Sequence, residues 1–325
     1  ESLRLQAIER LGRTRHALVS PTFFREELAS ELDLGRDSVP LILLRGSVIH
    51  PDTGQRSSEV NIIGVDARFS AASPQGRSWA IESRSARVNS ALASEVGAKR
   101  GEDLVVSFEL HSDIPREHAL GKREDTTERL RLEVAGIEED SGTAIFDLKL
   151  QQETPRNIFV SLEQLQARLG REAQVNTIIV CRDTQGDGAE SSQARLRAAW
   201  KLDDIGAVLR VDPSRNYVSL ESRNFLLDSR LVEAARTAAS GSPYQRQEVL
   251  AYLANAIGAG ESEIPYSIVA SVSPWRLPSG AKAGPPLGAF DAGDGFLDEA
   301  GIVLNSWAAA DLEASAGDKV IVRFY

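Results

Sequence analysis

The sequence of 325 residues has no methionine, one cysteine and four histidines, and each scarcity removes a class of explanation. A single cysteine, Cys181, leaves no internal disulfide to be made. It follows the apolar run 176–180 and reads as a small buried residue. The four histidines are His16, His50, His111 and His118, and none falls in a His-Glu-x-x-His pattern. No Gly-x-x-x-x-Gly-Lys-Ser/Thr stretch is present, so no phosphate-cradling loop of that kind is encoded. No Gly-x-Ser-x-Gly elbow supports a hydrolase. No run approaches the ~20 apolar residues of a membrane span, and no signal peptide is visible. The chain starts at Glu1 and ends on Val320–Tyr325, which reads as a strand cut short. With no methionine at its start, it is expected to be a piece of something longer.

What is present is ordinary for a folded protein. Apolar residues make up 42% and charged residues 26%, so a core is available to a chain of this length. There are 47 acids against 37 bases, a net charge of −10. A phosphate backbone is repelled by most of such a surface, which argues against nucleic acid. Anionic lipid headgroups fit it no better.

Arg15–Val19 reads as a strand, with Ser20 as N-cap and Pro21 opening a helix that carries Phe24, Leu28 and Leu32. Leu41–Ile49 and Val60–Val65 predict a hairpin. Residues 67–80 look like a loop. Asn89 predicts the cap of a helix with Val88, Leu92 and Val96 on one face, followed by a turn at Gly101 and a strand over Leu104–Leu110. Leu130–Ile137 and Ala144–Leu150 are expected to pair around Asp140-Ser141-Gly142. Ser161-Leu162-Glu163-Gln164 is a capping box with Gly170 as the stop. Val175–Cys181 follows as a strand and Ser191–Leu202 as a helix. Ala207–Val211 and Tyr217–Glu221 are strands, then come a helix at Asp228–Ala239, a hairpin at Val249–Ala256 and Tyr266–Val272, and a last helix and strand. The mixture lacks strict βαβα alternation, so the fold class is α+β with mixed sheets.

One segment occurs twice. Asn89–Phe108 and Asn305–Phe324 align without a gap and share Asn89/Asn305, Ser90/Ser306, Ala93/Ala309, Ala98/Ala314, Gly101/Gly317, Val106/Val322 and Phe108/Phe324. Unrelated segments share about one or two positions in such a length. The physical content is a capped helix, a glycine turn and an apolar strand. A strand, a helix and a hairpin lead into each copy, at 15–66 and at 217–272. A complete unit and most of a second are therefore expected.

Phe23–Ala29 after the first strand, Gly64-Val65-Asp66-Ala67-Arg68-Phe69, Val88–Ala93 running on to Gly101-Glu102-Asp103, and Asn157–Leu165 occur in an order that resembles the periplasmic core domain of MacB/FtsX-type ABC transporter permeases. Tyr252–Asn255 and Ile264–Val269 look similar to segments of large permeases of this kind. The resemblance covers nearly the whole chain. It implies a porter-like lobe from residues 1–85 and 175–225, an inserted Sabre-like lobe from 86–174, and a partial, truncated second copy over 226–325. It also implies a membrane helix before the domain, three or more after it, and an ATPase on a separate domain or chain.

No candidate catalytic, cofactor or metal residues emerge. His111 and His118 lie in a charged stretch, 111–128, beside Asp113 and Glu117, which reads as a solvated loop rather than a metal site. Asp291–Glu299 is acidic but does not have EF-hand spacing. Trp275, in the Gly/Pro-rich stretch 273–295, is with His111 and His118 a candidate for partner contact. The expected function is therefore non-enzymatic. As the extracytoplasmic domain of such a permease, the chain couples ATP-driven motion of membrane helices to export or to a periplasmic or outer-membrane partner protein. It stands on the periplasmic face of the cell membrane and needs no cofactor. The alternative is a freestanding envelope binding or adaptor module with duplicated α+β units.

Overall fold

The computed structural model describes residues 8–32, 38–73, 76, 78–109, 127–149, 152–181, 189–223, 226–240, 246–272 and 301–324. These residues form a mixed α/β protein in which strands dominate. The chain divides into two compact units, residues 1–111 with 125–224, and residues 112–124 with 225–325.

The first unit holds β1 (His16–Arg25), β2 (Ser38–Ile49), β3 (Arg56–Val65), β4 (Ser85–Asn89), β5 (Asp103–Glu109), β6 (Thr127–Glu138), β7 (Asn157–Ser161) and β8 (Gln174–Val180). They lie in one eight-stranded sheet in the order β1-β8-β2-β3-β7-β4-β6-β5. β2 is long enough to serve two partners. Its first half, Ser38–Leu41, pairs with β8, and its second half, Gly46–Ile49, pairs with β5. The strands β2-β3-β7-β4-β6-β5 therefore return on themselves as a barrel, which leaves none of the six with a bare edge along its whole length. Closure depends on Gly46, because a Cβ there would lie 2.2 Å from the carbonyl oxygen of Ser107.

Alternation of side chains supplies two cores from one sheet. Ile62, Val88, Val106, Leu132 and Ile158 point into the barrel and are fully buried. Ile63, Val65 and Phe159 point the other way, into a second core with Phe69, Trp79 and Phe146. The Trp79 and Phe159 ring centroids are 4.3 Å apart, and Phe69 meets Phe146 edge-on at 5.6 Å. The helices of this unit are α1 (Leu28–Glu31), α2 (Ser90–Val96), α3 (Leu162–Leu169) and α4 (Ala189–Ala199). α4 brings Leu196 and the following Trp200 against the barrel core. A small separate hairpin, β9 (Ala207–Asp212) and β10 (Tyr217–Ser222), completes the unit.

The second unit holds α5 (Ser229–Ser240), the hairpin β11 (Val249–Ala259) with β12 (Ser262–Val272), α6 (Ser306–Asp311) and β13 (Ile321–Arg323). β13 pairs antiparallel with β11. Ala254, Ile257, Ile264 and Leu312 make a small core.

The segments 89–108 and 305–324 share their local geometry closely. Asn89 and Asn305 cap α2 and α6 by accepting from Leu92 N at 3.3 Å and Ala308 N at 2.7 Å. Ala98 N donates to Ala93 O at 2.9 Å, and Ala314 N to Ala309 O at 2.9 Å. Glu102 Oε2 accepts from Lys99 N at 2.7 Å, and Asp318 Oδ2 from Ser315 N at 2.7 Å. Positive φ recurs at Gly97 (65°) and Glu313 (51°), and at Gly101 (87°) and Gly317 (99°). Val106 faces Val48 of β2, and Val322 faces Ile257 of β11.

Two sequence expectations are corrected. Ser20 and Pro21 do not open a helix. They lie within β1, in the irregularity between Val19 and Phe24, while Phe24 pairs with Val175 and the helix is confined to Leu28–Glu31. The missing N–H of Pro21 falls where the ladder is already interrupted. Of the expected strand Ala144–Leu150, the described residues 144–149 do not pair with Leu130–Ile137. β6 lies between β4 and β5, and Gly142–Ile145 is a 3-10 turn.

Candidate functional site

The parallel pairing of β3 with β7 sets Val65 beside Ser161, so the C-terminal ends of the two strands lie together. Asp66 follows one strand and α3 follows the other. Between them lies an open cleft of about 310 Å³ lined by Glu26, Asp66, Ser161, Glu163, Gln166 and apolar neighbours. Ser161 caps α3 through its hydroxyl, which accepts from Gln164 N at 3.4 Å. The side chain of Gln164 is turned elsewhere, accepting from Arg84 N at 3.0 Å.

Two of the three carboxylates of this cleft, Asp66 and Glu26, are matched by a guanidinium. Arg68 donates through Nε to Asp66 at 2.8 Å and also bonds Glu26. Gln166 Nε2 donates to the other oxygen of Glu26 at 2.7 Å. Burial disfavours the Arg68 charge, but its bonds to Asp66 and Glu26 outweigh that and raise its pKa. Carboxylates committed to a guanidinium and an amide are acceptors already in use. This arrangement fixes shape and holds the end of β1 against α3; it presents no activated nucleophile.

A second charged cluster ties β1 and α1 to the segment after α4. Asp204 is buried and accepts from Arg25 at Nε (3.0 Å), at the other guanidinium nitrogen (2.8 Å) and at the backbone N–H (3.1 Å). Arg25 also bonds Glu31 at 2.9 Å, and Lys201 Nζ reaches Glu31 at 2.6 Å. Hydrogen bonds from Arg25 and then Lys201 lower the Glu31 pKa to about 2.

Of the histidines, His16 lies on β1 opposite Val180. His50 is 3% exposed, and its Nε2 lies 3.2 Å from Glu102 Oε2, while its Nδ1 accepts from Asp52 N at 3.3 Å. It ties the β2–β3 turn to the turn before β5. The hydrogen bond with His50, then that from Lys99 N, lowers the Glu102 pKa. Cys181 is buried in the aromatic core. His111, His118, Trp275 and the acidic stretch 291–299 lie outside the described residues. Among the described residues, no group of three or more His, Cys, Asp or Glu side chains could hold a metal ion. No helix among them is long and apolar enough to cross a membrane.

Exposed apolar surface stands out more than any reactive group. On the β9–β10 hairpin, Val211 (64% exposed) faces Val218 (52%) across the ladder, next to the Leu209–Leu220 pair on the same face. In the second unit, Tyr266, Ile268, Trp307 and Phe324 are all exposed. Sequence reasoning placed these strands and helices without marking them as surfaces. The available signal was the repeat itself, which sets Trp307 opposite the small Ala91. The chemistry available here is apolar contact.

No family model matches the chain, and no curated protein matches it. Among solved structures, the periplasmic region of MacB from Actinobacillus actinomycetemcomitans is similar at 10% identity, over 73% of this chain and 98% of that one, with a TM-score of 0.37. The extracellular domain of the noncanonic ABC-type transporter YknZ from Gram-positive bacteria is similar at 12% identity, over 55% of this chain and 86% of that one, with a TM-score of 0.32.

Proposed function

We propose that this chain is the extracytoplasmic domain of an ABC transporter permease of the MacB/FtsX type. It works by contact and movement, not by catalysis. The observation that carries this reading is the order of the motifs along the sequence, from Phe23–Ala29 through Gly64–Phe69 and Val88–Asp103 to Asn157–Leu165. Three of these four segments also contribute to one place in the fold, since Glu26, Asp66 and Glu163 line the same cleft. In this reading residues 1–85 and 175–225 supply the porter-like part and 86–174 the inserted Sabre-like part, and the closed barrel, which draws β2 and β3 from the first and β4 to β7 from the second, joins the two in one compact unit. Residues 226–325 are a partial second copy of the unit, a reading supported by the hydrogen bonds common to 89–108 and 305–324.

The domain stands on the periplasmic face of the cell membrane. An ATPase subunit acts on it through the membrane helices of the parent protein, and a periplasmic or outer-membrane protein meets the apolar face of the β9–β10 hairpin. The mechanical demand is rigidity with a small number of soft joints, so that a displacement at the membrane arrives at the partner surface undiminished. A closed barrel meets that demand, because no strand of it can slide without breaking two ladders.

The test is to sequence the open reading frame around this segment and to purify the encoded protein from membranes. The reading requires an apolar span of about 20 residues before the domain and several after it, and an ATPase that co-purifies. A reading frame with no such span, whose product is recovered in the soluble fraction, contradicts it.

A further inference from the structure

In the first unit, three strands of the repeated unit are each flanked on both sides. β3 lies between β2 and β7, β4 between β7 and β6, and β5 between β6 and β2. In the second unit the counterparts of β2, β3 and β5 are β11, β12 and β13, and the counterpart of β4 is residues 301–305. Among the described residues, β12 and β13 each pair with β11 alone, and 301–305 pairs with nothing. Two positions therefore hold no strand among the described residues, and the first unit specifies their directions. One runs parallel to β12, as β7 does to β3. The other runs antiparallel to β13 and parallel to 301–305, as β6 does to β5 and β4.

The side chains that such strands would cover are retained. Ala86, Val88 and Phe108 correspond to Ile302, Leu304 and Phe324. Phe108 is 2% exposed inside the barrel, whereas Phe324 is 64% exposed. Asn89 is fully buried, and besides capping its helix it accepts from Asn157 N at 2.9 Å and donates to Pro155 O at 2.7 Å, which fixes the start of β7. Asn305 makes the same cap at 2.7 Å while remaining exposed. Apolar side chains and an amide are thus set out for a strand pair that is not found among the described residues of the second unit.

We infer that residues 301–324 and the edge of β12 form an open slot for two strands, filled by a strand pair of the same polypeptide that corresponds to 127–161 of the first unit. The inference rests on the permease reading, in which the polypeptide continues past Tyr325 toward further membrane helices. In the first unit β6 and β7 both follow β5 in sequence, so the corresponding pair of the second unit falls after β13. Filling the slot closes a second barrel next to the membrane.

Hydrogen exchange, measured on residues 1–325 alone and on the natural polypeptide in detergent micelles, tests this. The amides of 302–304 and 321–324 are expected to exchange about 100-fold more slowly in the natural polypeptide. Phe324→Asp should remove the difference, and Phe324→Leu should keep it. Equally fast exchange in both proteins overturns the inference. Protection of 1–325 alone that grows with its concentration assigns the slot to a second copy of the chain and overturns it too. The permease reading is scored separately. Membrane spans with an unprotected 301–324 defeat the slot alone, and a protected 301–324 in a polypeptide without spans defeats the permease reading alone.

Discussion

Asn89 Oδ1 accepts the backbone N–H of Asn157 at 2.9 Å while the same oxygen caps α2, so one buried amide fastens the start of a helix to the start of β7. Its nitrogen donates to Pro155 O at 2.7 Å. Asn305 does only the capping half of this work. Asn89→Ala is expected to cost about 3 kcal/mol, because it strands buried backbone donors. Asn305→Ala should cost about 1 kcal/mol, the ordinary value of a cap. Urea unfolding of the two variants checks the ratio, and equal losses would contradict it.

Glu313 occupies the left-handed region at the position where the first unit has Gly97. A residue with a Cβ is strained there, and glycine is not. Glu313→Gly should raise the stability of the second unit by roughly 0.5–1 kcal/mol. A thermal melt that shifts downward would show that the side chain is held by something that outweighs the strain.

Gly46 is the point where β2 crosses onto β5. A Cβ there meets Ser107 O at 2.2 Å and Ile62 Cδ1 at 2.6 Å. The first is backbone and cannot rotate away. Gly46→Ala is expected to open the β2–β5 ladder and to destabilise the first unit by about 3 kcal/mol or more. Amides 105–108 should lose exchange protection before those of β3. Protection that stays uniform would mean that the barrel absorbs the methyl group elsewhere.

The charged cluster at Arg25 predicts a pH dependence of known sign. Glu31 is lowered from an ordinary 4.5 to about 2 by its bonds to Arg25 and Lys201. A carboxyl depressed on folding contributes stability that is complete above its unfolded pKa and is lost as pH falls through the folded one. Stability should therefore decline between about pH 4.5 and pH 2. Glu31→Gln should flatten that part of the curve, and an unchanged acid limb would contradict the assignment. Asp204→Ala leaves the buried side of Arg25 without its partner, and is expected to cost about 2–3 kcal/mol. It should also make 201–223 the first segment cut by protease.

Much of the fold is legible in the sequence because local chemistry agrees with the final structure. The caps at Asn89, Ser161 and Asn305, the stop at Gly170 and the hairpins β2–β3 and β11–β12 all follow from residues a few positions apart. What was not legible depends on distant partners. Ala144–Phe146 has the apolar content of a strand, yet the side chain of Asn157 donates to Ala144 O and Phe146 O and takes the acceptors a ladder needs. The stretch after Ser20 has helical spacing, yet β8 offers Phe24 an edge at Val175. The parallel pairing of β3 with β7, which places Asp66 beside Glu163 in the cleft, joins residues nearly a hundred positions apart and leaves no local trace. The contact candidates His111, His118 and Trp275 remain expectations of sequence alone, since they lie outside the described residues. The exposed pairs on β9–β10 and the face around Phe324 are what the structure adds.

The measurement that bears most directly on the permease reading is the side of the membrane on which this domain stands. A cleavage sequence for a site-specific protease, inserted in the exposed turn Asp52-Thr53-Gly54, reports it in cells expressing the natural polypeptide with the outer envelope removed. Cleavage by added protease while the cell membrane is intact is the predicted result. Resistance until the membrane is permeabilised would place the domain inside the cell and contradict the permease reading.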